Sequence, residues 1–190
     1  MGHRADASPI VKLAAPAVIA AAAACVLGAP SSAAAQIQIS QTPAVAPALG
    51  TMVRGTTATS FTVSTAGSVT KTSGNGIRIS SAGVTPPTVT ISCGFLNLNG
   101  LCAVRQVRVT IQPVPSSDAQ ITKFYVGSVT GNILMATGSM PAPASSMTFD
   151  LKPLGLLGTG SFTLGMDVFT AAGLASGTYN FAYTVTASFI

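Results

Sequence analysis

The C-terminal stretch constrains this chain most. Tyr179, Phe181, Tyr183, Val185, Ala187 and Phe189 fall on one parity, and Thr178, Asn180, Thr184, Thr186 and Ser188 on the other with Ala182. Alternation with period two places the apolar side chains on one face of an extended strand and on no common face of a helix. The same period runs through Phe162, Leu164, Met166 and Val168, through Val107, Val109 and Ile111, and through Val89, Ile91 and Cys93. Shorter cases are Ile37 with Ile39, Phe61 with Val63, Ile77 with Ile79, and Met147, Phe149 and Leu151; Ile121 to Val126 is β-rich but less regular.

Clusters of Gly, Pro, Ser and Asn separate these runs, at Gly74-Asn75-Gly76, Pro86-Pro87, Pro113 to Ser117, Gly131-Asn132, Pro141 to Ser146 and Ser176-Gly177. Short alternating runs punctuated in this way predict an all-β sandwich or barrel. The length also suits an eight-stranded membrane barrel, but such barrels carry aromatic girdles at both interfaces. Aromatic residues are only 6% of this chain, with three Tyr and no Trp. Many runs are also shorter than the roughly nine to eleven residues a membrane-spanning strand needs. A sandwich is the expectation. No segment past the leader has a convincing helical period, and the Pro-, Ala- and Thr-rich stretch 43–59 reads as a loose crossover.

The N-terminus reads as a leader. His3, Arg4 and Lys12 precede an uncharged run from Leu13 to Ala29, followed by Pro30-Ser31-Ser32-Ala33-Ala34-Ala35-Gln36. A basic start, an apolar run and a small-residue A-x-A end describe a secretory signal peptide. The expected division is a signal peptide at 1–35, cleaved between Ala35 and Gln36, and one domain at 36–190 with no integral membrane span. Cys25 lies inside the apolar run and reads as a small apolar residue. The expected location is exported: periplasm, cell surface or outside the cell.

Export gives Cys93 and Cys102 an oxidising compartment, where two cysteines allow a single intramolecular pairing. They flank Gly94, Asn97, Asn99 and Gly100, a turn composition between two runs. A metal site lacks the further His or Cys needed for a tetrahedral shell. Redox pairs stand two residues apart rather than nine. A structural disulfide is expected.

Two stretches together carry a family resemblance. One is Leu49-Gly50-Thr51-Met52-Val53-Arg54-Gly55, followed by the strand-like Ser60 to Thr65. The other is Gly160-Ser161-Phe162-Thr163-Leu164-Gly165, then Ala171 to Ala175, then Ser176-Gly177-Thr178-Tyr179-Asn180-Phe181-Ala182-Tyr183-Thr184-Val185-Thr186. The chain resembles the bacterial secreted family called domain of unknown function 4402, over roughly residues 37–190 with a weak middle. The family's usual Phe before the first Gly is Leu49 here. It is similar, more distantly, to spore-coat-U-like pilin domains of chaperone–usher systems, which are incomplete immunoglobulin-like sandwiches that take a strand from a neighbour. The resemblance implies an immunoglobulin-like fold at the bacterial surface and assigns no catalytic residue.

The chemical inventory points away from catalysis. Charged residues are 7% of the chain, against an average of about 25%. Past the leader there is no His, Glu or Trp, and the only acids are Asp118, Asp150 and Asp167. A Ser-His-Asp triad cannot be assembled, and no clustered D-x-D loop is present. Each Asp reads as a solvated or turn-capping carboxylate: Asp118 in a Ser-rich turn, Asp150 beside a strand end, Asp167 on a polar face. Arg105 and Arg108 have opposite strand parity and so form no single basic face. Nucleic-acid binding and cofactor binding are not expected.

The expectation is therefore a non-enzymatic exported structural protein, a surface, coat or pilus-like fibre subunit. The alternative is a monomeric envelope glycan-binding module, with Tyr125, Tyr179 or Tyr183 stacking on sugars. For the first reading, partners are other copies or related subunits joined by strand addition. Ile37 and Ile39, in Gln36-Ile37-Gln38-Ile39-Ser40, are the candidate donor strand. The same residues would otherwise pair within their own domain as its first strand.

Overall fold

The computed structural model describes residues 37–94 and 100–190. The expected leader, with its cleavage site at Ala35–Gln36, and residues 95–99 of the turn between the cysteines lie outside them. The described chain is an all-β sandwich. Its elements are β1 (Ile37–Thr42), β2 (Ala48–Val53), β3 (Thr59–Val63), β4 (Val69–Ser73), β5 (Ile77–Arg78), β6 (Thr88–Cys93), a helical turn α1 (Leu101–Val104), β7 (Val107–Pro113), β8 (Ala119–Gly131), β9 (Met147–Leu151), β10 (Thr159–Thr170), β11 (Gly177–Asn180) and β12 (Tyr183–Phe189). No helix among the described residues is long and apolar enough to cross a membrane.

β10 is the spine. Its inward Phe162, Leu164, Met166 and Val168 are all buried, as the alternation predicts. One edge pairs along its length with β8, from Gly160 opposite Gly131 to Thr170 opposite Ala119. The other edge is shared, with β6 on its first part and β3 on its last. β1 extends this sheet beyond β6, and β4 extends it beyond β3. Two smaller antiparallel sheets, β12-β7-β9 and β11-β2-β5, complete the domain.

The core lies between the inner faces of these sheets. Phe149 of β9 meets Phe162 of β10 edge to face, with ring centroids 5.6 Å apart, and Tyr183 of β12 meets Phe124 of β8 at 5.9 Å. Burying a side chain of this size stabilises by about 1.5–3 kcal/mol, and edge-to-face geometry adds somewhat more. Gly165 keeps the spine close to β3. A Cβ there would stand 2.8 Å from the Val63 carbonyl oxygen and 3.0 Å from the Thr65 nitrogen.

Three local readings are corrected. The stretch 43–59 is not a loose crossover, because it contains β2. Gly50 sits there at φ +81 and breaks the alternation, so Leu49 and Met52 are both buried at a spacing of three. Ile77 and Ile79 do alternate, but they face solvent, while Arg78 turns to donate from Nε to the Leu49 carbonyl. Asp150 stands next to the last residue of β9, at the strand end expected. Arg105 is the C-cap of α1 and precedes β7, so strand parity does not apply to it.

Candidate assembly edge

The sandwich is closed unevenly at its flanks. Inner residues of β6 and β7 are almost fully enclosed: Val89, Ile91, Val107, Val109 and Ile111 are each 0% exposed. Cover is lost one strand further out. On β1, Ile37, Ile39 and Gln41 are only half-buried, opposite Cys93, Ile91 and Val89. On β12, Tyr183, Val185, Ala187 and Phe189 are half-buried, opposite Pro113, Ile111, Val109 and Val107. Each of these strands hydrogen-bonds to one neighbour. They approach one another without pairing. A pocket of about 370 Å³, lined by Ile39, Gln41, Ala44, Ala46, Ala182 and Tyr183, opens beside them.

Other edges carry the devices that normally deter pairing. β4 places Lys71 opposite Phe61, so an exposed cation sits on the inward-facing parity of that edge. The outer edge of β9 is covered by residues 134–136, with Ala136 N–H donating to the Asp150 carbonyl and Lys152 N–H to the Leu134 carbonyl, both at 2.8 Å. The outer edge of β8 is capped where Phe124 N–H donates to the Ala144 carbonyl at 2.8 Å. β5 and β11 are short, at 2 and 4 residues. Among the described residues, β1 and β12 have none of these protections, and they contain no charged residue.

Ile37 and Ile39, the candidate donor strand, take the alternative place, paired in their own chain with Cys93 and Ile91 of β6. A six-residue register with β6 pairs one edge of the strand and turns both isoleucines toward the core. Cys93 and Cys102 are joined in a disulfide, with both residues buried.

The acids are engaged in the sheet framework. Asp167 accepts from Thr62 Oγ1 and from the Tyr125 hydroxyl, both at 2.6 Å, with Lys123 Nζ at 3.9 Å. Asp150 takes a bidentate pair from Arg108, at 2.8 Å from Nε and 3.0 Å from Nη2. The Arg108 hydrogen bond holds the Asp150 carboxyl below its ordinary range, and Asp150 in turn raises the guanidinium. Asp118 accepts from the neighbouring Ser117 hydroxyl in its turn.

Desolvation, with the Asp167 hydrogen bond second, pushes the Tyr125 phenol up to about 12. Burial pushes Tyr183 up to about 12 as well. The Tyr179 hydroxyl donates to the Ala175 carbonyl. Among the described residues no aromatic side chain is fully exposed, and no cluster of three or more His, Cys, Asp or Glu could hold a metal ion.

The uncharged flank was only half legible in the sequence. The alternation of β12 was plain, but its lack of a second partner depends on the long-range placement of β1. Comparison of the chain with protein-family models, curated proteins and solved structures gives no match.

Proposed function

We propose that this chain is a non-enzymatic exported structural protein, the subunit of a surface, coat or pilus-like fibre. The observation that carries the reading is the uncharged flank formed by β1 and β12. Among the described residues, two neighbouring edges offer unpaired backbone groups above half-buried apolar faces, while β4, β8 and β9 are guarded or covered. A strand from another copy or a related subunit would add there. Backbone hydrogen bonds would supply affinity, and side chains set over Ile37, Ile39, Val185 and Phe189 would supply specificity. Ile37 and Ile39 then belong to the receiving surface rather than to the donated strand. The resemblance to secreted surface families supports the same location.

The glycan-binding alternative needs an aromatic platform open to solvent. The hydroxyls of Tyr125 and Tyr179 are bonded within the domain and Tyr183 packs on Phe124, which favours the assembly reading. The test is sedimentation velocity on the exported protein and on an Ile39→Lys, Val185→Lys double variant. Concentration-dependent assemblies that the variant loses, with its melting transition retained, support the proposal. Equal assembly in both proteins overturns it, as does a monomer in both.

A further inference from the structure

A second surface lies at the end of the sandwich where β6, β8 and β9 finish and β7 and β10 begin. Three connections meet there and are tied by backbone hydrogen bonds. Gly155 N–H donates to the Cys102 carbonyl at 3.0 Å, Cys93 N–H to the Gly158 carbonyl at 3.0 Å, and Lys152 N–H to the Leu134 carbonyl at 2.8 Å. The tips are aliphatic and face solvent: Val104 is 72% exposed, Leu134 62%, Leu156 61% and Leu157 62%. The framework below them is buried, through Cys102, Ile133 and Leu154. The leucines at 156 and 157 are therefore held outward by a fixed loop, since Leu154 anchors it and Asn132 Nδ2 donates to the Leu154 carbonyl at 3.0 Å.

The charge around these tips has one sign. Residues 100–106, 131–136 and 152–158 contain Arg105 and Lys152 and no acidic side chain. Both cations are exposed, and among the described residues neither is in an ion pair. The nearby Asp150 is already taken by Arg108. Aliphatic tips flanked by unpaired cations match the two layers of an anionic bilayer surface, acyl chains below and phosphates above. A second copy would need an acidic counterpart, and another exposed aliphatic pair, Ile77 and Ile79, sits beside Arg78.

We propose that this end docks on an anionic lipid surface, with Leu156, Leu157 and Val104 entering the acyl boundary and Arg105 and Lys152 meeting headgroup phosphates. The site uses other residues than the β1–β12 flank, although it adjoins the end of that flank where Ile190 N–H donates to the Gln106 carbonyl at 3.0 Å, and it would orient the domain on the membrane.

The test is co-sedimentation of the exported protein with vesicles of equimolar phosphatidylglycerol and phosphatidylcholine, against phosphatidylcholine alone. Binding to the anionic vesicles should fall roughly tenfold or more in Leu156→Asn, Leu157→Asn. It should also fall and lose salt dependence in Arg105→Gln, Lys152→Gln. Ile77→Asn, Ile79→Asn, which changes exposed aliphatics elsewhere, should bind as the parent does. The chain has no tryptophan, so Leu157→Trp gives a single reporter whose emission should shift to the blue on those vesicles. No binding, binding that survives both tip variants, or an unshifted emission from the Leu157→Trp variant overturns the proposal. So does self-association without lipid that Leu156→Asn, Leu157→Asn abolishes.

Discussion

Reduction of the Cys93–Cys102 bridge should destabilise the domain by an amount set by the loop it closes. The cysteines are 9 residues apart, for which the chain-entropy relation gives about 2.6 kcal/mol at 25 °C. Reduced wild-type protein keeps both sulfurs in place, so it isolates the cross-link. Both attachments beside the bridge, Cys93 N–H to the Gly158 carbonyl and Gly155 N–H to the Cys102 carbonyl, are backbone bonds that do not involve the sulfurs. For a domain of this size the melting temperature should fall by roughly 5–10 °C. Cys93→Ala, Cys102→Ala should fall further, because both positions are buried and the lost sulfurs leave unfilled volume. The assay is calorimetric or circular-dichroism melting with and without reductant, alongside mass spectrometry of alkylated thiols. Alkylation of both cysteines in the unreduced protein would refute the reasoning, as would a reduced protein that melts with the oxidised one.

Gly165→Ala should cost about 1–3 kcal/mol, since its Cβ would press on backbone atoms of Val63 and Thr65 that cannot swing aside; denaturant titration reads this. The depressed Asp150 carboxyl stabilises the fold above the ordinary carboxylate range, and that contribution is lost as pH falls through its lowered native value. Melting temperature against pH should accordingly show a small acid limb that Asp150→Asn lacks. Tyr125 and Tyr183 should remain un-ionised in the folded protein at pH values where free phenols have titrated, near 10, and titrate near 12. Stability should fall as pH rises through that window, because the unfolded chain ionises first; ultraviolet difference titration beside melting follows both.

The strands that alternate without interruption, β6, β7, β10 and β12, were legible from residue parity alone. Their buried sets, such as Phe162, Leu164, Met166 and Val168, are the ones the pattern selects. β2 was hidden because Gly50 at positive φ changes the spacing of Leu49 and Met52 from two to three. The single run expected from Tyr179 to Phe189 divides at Phe181-Ala182 into β11 and β12, which belong to different sheets. Parity does not report such a division, since both pieces keep their apolar residues on the inner side. The face of Ile77 and Ile79 was likewise invisible, because alternation names two faces without saying which one meets the core. Pairing partners are set by long-range packing, so the placement of β1 beside β6, and with it the open flank, emerges only in three dimensions.

The central claim is that copies of this domain assemble through the β1–β12 flank, and the most direct measurement is negative-stain electron microscopy of the purified protein. Repeating fibres or sheets, which vanish in Ile39→Lys, Val185→Lys while the variant stays folded, are the predicted result. Isolated particles of single-domain size in the parent protein would contradict the claim.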